Sequence, residues 1–205
     1  MNIIPLFPST LCILELDPLV LPELDSVRAL KFRATDQGSS EISLDYAVLD
    51  HLPGVRANIL NLWNQFKNQA LGYDTTDFRL ARSWVTRSTR GQSSHFHTHK
   101  NAFYSGVVYL DTCEDSGALE ISDLGCRPQS YQLNRPQRIN QHNSSAFYLQ
   151  PVRGVMALFP SYLMHRIRPW LGQELRHSLA FNIVPQGLYG HDDSRVEIDL
   201  APARN

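Results

Sequence analysis

Little in this chain ties it to an oxidising compartment, a membrane or a polyanion. Three cysteines among 205 residues (Cys12, Cys113 and Cys126) are odd in number and lack CxxC spacing. A disulfide framework is therefore not indicated, and the cysteines read as small core residues of a protein in a reduced, cytoplasmic setting. No run of about 18 apolar residues exists, so no helix is expected to span a bilayer. The opening MNIIPLFPSTLCILELD is apolar but lacks a basic lead-in and is broken by Pro5, Pro8, Glu15 and Asp17, unlike a secretory signal. A net charge of −1 leaves no surface suited to coating nucleic acid or anionic lipid. Internal repeats and clear linkers are missing as well, and 205 residues suit one domain with a full core.

Turn residues, by contrast, are plentiful, with 12 prolines and 11 glycines. Residues 9–17 (STLCILELD) predict a short strand. Residues 55–70 carry Val55, Ile59, Trp63 and Phe66 on one helical stripe, with Gly72 as a stop signal. Residues 41–54 predict another short helix, ending before Pro53. From residue 78 the texture changes to short strands divided by turns: 78–89, 102–111, 117–123, 146–152, 154–160, 163–170 and 174–185. Such a series predicts a mostly β jelly roll with flanking helices. An N-terminal strand and helices (1–77) would pack on a β core (78–185), followed by a C-terminal tail (186–205). Residues 124–145 form a long polar loop with Arg127, Arg135 and Arg138, of the kind that serves as a lid or binding loop or is simply mobile.

Eight histidines are present, and three of them alternate in SSHFHTHKNAFYSG, at 95, 97 and 99. On an extended strand, positions i, i+2 and i+4 share a face, so neighbouring imidazoles there can converge on one ion. A polar surface strand would show the same alternation. Downstream, FPSYLMHRIRPWLGQELRHSLAFN places His165 in a predicted strand and Arg176 eleven residues later. Arg176 and Ser178 alternate and share a strand face, whereas His177 faces the other way. A guanidinium fork and a neighbouring hydroxyl suit the distal carboxylate of a small acid whose other end chelates a metal.

The succession HTHKNAFYSGVVYLD, GALEISD, FPSYLMHRIRPW and RHSLAFN resembles the iron(II)- and 2-oxoglutarate-dependent oxygenases. It is most similar to a branch found in bacteria and in phages of marine bacteria, and LFPSTL at 6–11 resembles that branch's usual start. The resemblance implies a double-stranded β-helix, a cupin-like jelly roll with iron near one mouth. It implies that His97 is the first metal ligand and His165 the distal one. Arg176 and Ser178 would hold the C5 carboxylate of 2-oxoglutarate, supported by Tyr109. His99 stands where the family usually has Asp or Glu. It would be the third ligand, with His95 behind the site or at the surface; Asp111, Asp123 or a water are alternatives for that third position, and Zn is an alternative metal. The expected activity is dioxygenase chemistry: 2-oxoglutarate is decarboxylated with O2 to succinate and CO2 while a substrate of unassigned class is hydroxylated. A three-His metal enzyme that does not use 2-oxoglutarate, and a non-catalytic jelly-roll binding module, are the alternatives. Oxygenases of this shape often pair, so a homodimer is open.

Overall fold

The computed structural model describes residues 1–2, 4, 8–35, 39–73, 76–112, 116–123 and 137–199. In chain order the strands are β1 (Cys12–Glu15), β2 (Phe32–Ala34), β3 (Glu41–Ser43), β4 (Asp77–Ser88), β5 (Tyr104–Tyr109) and β6 (Leu119–Ser122). They continue as β7 (Ala146–Leu149), β8 (Val155–Pro160), β9 (Met164–Ile167), β10 (Arg176–Tyr189) and β11 (Val196–Ile198). Two α-helices, α1 (Leu21–Asp25) and α2 (Pro53–Phe66), lie in the N-terminal part. Among the described residues, no helix is long and apolar enough to cross a membrane.

The larger sheet runs β1-β8-β5-β10-β4-β3-β2, with β11 paired to the far end of β10. A second sheet runs β7-β6-β9, and every pairing between the strands is antiparallel. The two sheets face each other across Val107, Tyr109, Leu119, Ala157 and Phe159, with Ile121, Leu149 and Ile167 at the margin. Strand alternation sends the intervening residues to the other side of the large sheet. There Val85, Val108, Met156, Leu158, Leu179 and Phe181 join Val55, Ile59, Trp63 and Phe66 of α2 in the main core. The result is a double-stranded β-helix with its helices packed on the back of the large sheet.

The α2 stripe falls where the spacing places it, and the stop signal holds: Gly72 takes the left-handed conformation at φ 70°. The start of α2 is capped from a distance. Pro53 needs no donor partner, and the carboxylate of Glu23 accepts from the Gly54 and Val55 N–H groups at 3.0 and 3.1 Å.

Two stretches differ from expectation. Of residues 41–54, Glu41–Ser43 extend the large sheet beside β4, and the short helix expected before Pro53 is a 3-10 helix, Val48–His51, rather than an α-helix. Pairing with β4 outweighs the weak local preference of so short a segment. Strand β10 also continues past Pro185 to Tyr189, where it pairs with β11. Its last β5 partner is Tyr104, opposite Ile183, so Pro185 lies beyond the doubly paired part of the ladder.

Gly106 is required by contact. A Cβ there would lie 2.1 Å from Cζ of Phe181, a ring with no exposed surface. Gly106→Ala is expected to destabilise the fold by ~1–3 kcal/mol through overpacking, read as a lower urea midpoint with an unchanged slope.

Candidate metal centre

The histidine row is built by an irregular strand beside β9. His97 and His165 exchange main-chain hydrogen bonds at 2.9 and 3.0 Å, and His99 N–H donates to Ser161 C=O at 2.9 Å. Ser94 is tied to Ile167 twice: its N–H donates to the Ile167 carbonyl and its Oγ accepts from the Ile167 N–H. Phe96, on the opposite face, lies beneath the Arg166 guanidinium at 4.4 Å, while Arg166 Nε donates to Glu120 at 2.7 Å. These outward contacts keep the alternating residues turned inward.

Inside, the three rings cluster. Centroid separations are 4.3 Å for His97 and His165, 5.0 Å for His97 and His99, and 5.1 Å for His99 and His165. One ligand atom from each lies within 4.8 Å of the other two. Nitrogens bound ~2.1 Å from one ion stand ~3–4 Å apart, so small ring rotations would close the set on a cation. The orientation is fixed from behind. His97 Nδ1–H donates to the His95 carbonyl and His165 Nδ1–H to the Leu163 carbonyl, both at 2.8 Å. A carbonyl only accepts, so Nδ1 carries the proton in each and Nε2 presents its lone pair to the cluster. His95 takes part through its main chain, and its own ring is exposed.

Burial, aided by the neighbouring His97, lowers His99 to about 4 and His165 to about 3. Both are neutral donors at pH 7, as a metal ligand must be. The sign for stability follows from linkage. The unfolded chain binds protons near the ordinary histidine value of 6.5, whereas the folded chain refuses them until well below. Stability from this pair is therefore complete above about pH 6.5 and is lost as pH falls toward 3–4. Metal-free protein is expected to melt at progressively lower temperature across that window, and His165→Ala should flatten the slope.

The same cavity, about 90 Å³, is lined by His97, His99, His165, Arg176 and Ser178. Arg176 is 1% exposed. Its Nη1 donates to Ser178 Oγ at 3.4 Å, and its Cζ lies 5.7 Å from the Tyr109 ring centroid. Thr86 Oγ1 lies 2.9 Å from Ser178 Oγ. Gly117, at φ 65°, backs the arginine closely: a Cβ there would sit 3.1 Å from Nε. Yet Arg176 Nε and Nη2, Tyr109 Oη and Ser116 Oγ are buried with no hydrogen-bond partner among the described residues. Burial lowers the Arg176 guanidinium and raises the Tyr109 phenol, so both charged forms are strained there. A buried cation with idle donors is costly unless an anion completes it. The pocket fits a carboxylate.

Arg176 and Ser178 are thus brought to one cavity with the three histidines, and Tyr109 lies buried beside Arg176. Asp111 and Asp123 are not part of the imidazole cluster. Asp111 lies behind β10, where its carboxylate accepts from His177 N–H at 2.6 Å and from Arg28 Nη2 at 2.6 Å. Burial alone would raise this carboxyl, but the His177 and Arg28 hydrogen bonds outweigh it and hold it well below the usual range. His177 faces that side too, with Nδ1 3.0 Å from Arg28 Nη1. Asp123 closes β6 with an N–H bond to Ser145 C=O. Sequence reasoning missed Trp84, Thr86 and Ser88, which line the cavity from β4. Their own alternation in SWVTRS was the available signal, since β4 pairs with β10 so that Thr86 opposes Ser178. Arg127 and Arg135, Cys113 and Cys126, and the first part of the 124–145 loop lie outside the described residues.

No curated protein matches the chain. The fold is shared with a Pseudomonas putida prolyl-4-hydroxylase, with a TM-score of 0.60 at 15% identity over 87% of this chain and 94% of that one. It is shared too with HygX from Streptomyces hygroscopicus, solved with nickel and 2-oxoglutarate bound (0.55, 15%, 86% and 83%). A 2OG-Fe(II) oxygenase family oxidoreductase from Burkholderia pseudomallei is similar in the same degree (0.58, 16%, 85% and 84%). A family profile described as "Putative 2OG-Fe(II) oxygenase" matches residues 82–182, the span from β4 through β10 that holds every side chain of the cavity discussed above. On that match the β4–β10 core of the chain is that of the 2OG-Fe(II) oxygenase family.

Proposed function

We propose that the protein is an Fe(II)- and 2-oxoglutarate-dependent dioxygenase whose iron is held by His97, His99 and His165. The observation that carries this is the pairing, in one cavity, of a three-imidazole cluster with a fully buried arginine whose Nε and Nη2 have no partner among the described residues. Bound Fe(II) would supply the redox chemistry by which O2 and 2-oxoglutarate give succinate and CO2 while one oxygen atom enters a substrate C–H bond.

The chain's own share is binding, orientation and exclusion of water. Nε2 of His97 and of His165 are aimed by carbonyls on their far nitrogens, so their lone pairs are preset. Arg176 would receive the C5 carboxylate on its idle Nε and Nη2 donors, with Ser178 and Tyr109 Oη adding hydrogen bonds. Distal anchoring of that kind leaves the keto-acid end facing the histidines. Trp84, Val107, Leu119 and Phe159 line the space between and keep water from the reacting atoms. Cys12 is free, in keeping with a reducing cytoplasm, where we place the protein.

Anaerobic addition of Fe(II) and 2-oxoglutarate to the protein should give a weak visible charge-transfer band, and admission of O2 should release succinate. Absence of both would remove the proposal. 2-Oxoglutarate with a redox-inert divalent metal should also raise the melting temperature, as any ligand of the folded state does.

A further inference from the structure

We infer that the loaded centre needs one more anion than 2-oxoglutarate provides, and that the primary substrate supplies it: the substrate is an acid whose monoanionic group binds beside the metal. This rests on the oxygenase proposal above and extends it to the substrate class.

Charge can be counted over the cavity that holds the three histidines and Arg176, open on the side of the exposed His97. Three imidazoles donate as neutral ligands, so a divalent ion held by His97, His99 and His165 keeps both its charges. Arg176 adds a third positive charge from the same cavity wall. The nearby Asp111 does not face this space; its oxygens are taken by Arg28 and His177 behind β10. Among the described residues, no aspartate or glutamate lines the cavity. 2-Oxoglutarate brings two negative charges, which leaves one positive charge unmatched. A site with a carboxylate at the position of His99 would be balanced at this stage. This one is not.

An unmatched charge among Trp84, Val107, Leu119, Phe159 and Phe181 costs free energy that a bound anion recovers. The approach to the centre favours the same sign. A wider cleft of about 730 Å³ borders the cavity at His99 and is lined by Lys100, Tyr73, Phe103, Tyr162 and Met164, again with no acidic residue among the described residues. Lys100 is exposed and attracts weakly, but the aromatic walls offer an apolar bed for the body of such an acid. Among the described residues, neither space offers a carboxylate to a cationic substrate.

The test uses intact protein loaded anaerobically with Fe(II) and 2-oxoglutarate, with azide as the monoanion probe and acetamide as a neutral control. Azide should shift the charge-transfer band in a saturable way without bleaching it, and acetamide should leave it unchanged. In His99→Asp, which restores a negative ligand, azide should bind at least tenfold more weakly while the band persists. An unresponsive wild-type band overturns the inference. So does bleaching, which means that azide displaces 2-oxoglutarate and does not add beside it. Equal azide affinity in wild type and His99→Asp overturns it as well. The wild-type comparison of azide with acetamide stands even if the variant fails to fold. A wild-type protein that shows no band before any probe is added refutes the oxygenase proposal instead.

Discussion

Arg176→Met should loosen 2-oxoglutarate by about 30-fold to several thousand-fold while leaving the metal in place. The lower bound is the loss of a charged partner in a buried pair, ~2 kcal/mol, and the upper is ~5 kcal/mol. The same substitution should make the ligand-free protein more stable. In wild type the guanidinium is 1% exposed, its Nε and Nη2 bond to nothing among the described residues, and burial works against its charge. An apolar side chain of similar length removes that cost, and replacing buried charges in this way commonly gains ~1 kcal/mol or more. Asp111, whose charge lies across the strand, softens the effect but is itself committed to Arg28 and His177. Two opposite signs are therefore expected from one variant: a higher melting temperature without 2-oxoglutarate, and little or no rise when it is added. Arg176→Lys should fall between, because an ammonium keeps the charge but cannot present a planar fork. If Arg176→Met melted lower than wild type and still bound 2-oxoglutarate normally, the arginine would be a structural brace and the pocket would need another anion anchor.

The pairings of His97 with His99 and of Arg176 with Ser178 were legible because each depends on strand alternation alone, whereas His165 was tied to them through the family resemblance. His97 and His99 share a face, as do Arg176 and Ser178, and His177 points away from both. The short period of a β-strand makes such statements local. What faces these residues across the cavity was not legible, since it depends on pairing between distant strands. Thr86 meets Ser178 only because β4 and β10 lie side by side in one register, separated by 92 positions in sequence. Nor could spacing say which side of the sheet Asp111 serves. It sits one residue beyond Leu110, after the strand proper has ended, and its direction comes from the His177 N–H that it accepts. The first part of the 41–54 stretch was misread for a related reason, although a short 3-10 helix does precede Pro53. A segment too short to hold a helix by itself takes whatever its neighbours offer, and β4 offered a ladder to Glu41 and Ile42. Long periodic α2 carried its own signal and needed no neighbour to be read.

His165→Ala should abolish metal retention and, with it, both the charge-transfer band and succinate release. Substituting groups that merely orient a ligand costs ~10–100-fold in metal affinity, so removing a ligand outright should exceed about 100-fold. His165 is the most enclosed of the three, 5% exposed and packed at 4.7 Å against the Phe159 ring. Its loss also opens a small cavity, which should lower metal-free stability by roughly 1–3 kcal/mol at neutral pH. Acid partly reverses that deficit: wild type must expel a proton from this ring on folding below about pH 6.5, and the alanine variant need not. The two melting curves should therefore converge as pH falls from 7 toward 4. His95→Ala is the informative contrast, because His97 is steered by the His95 carbonyl, which alanine retains, and the His95 ring is exposed. It should keep its metal. A His95→Ala protein that lost its ion while His165→Ala held on would move the centre to the outer face of the histidine strand and dissolve the link between the imidazoles and Arg176.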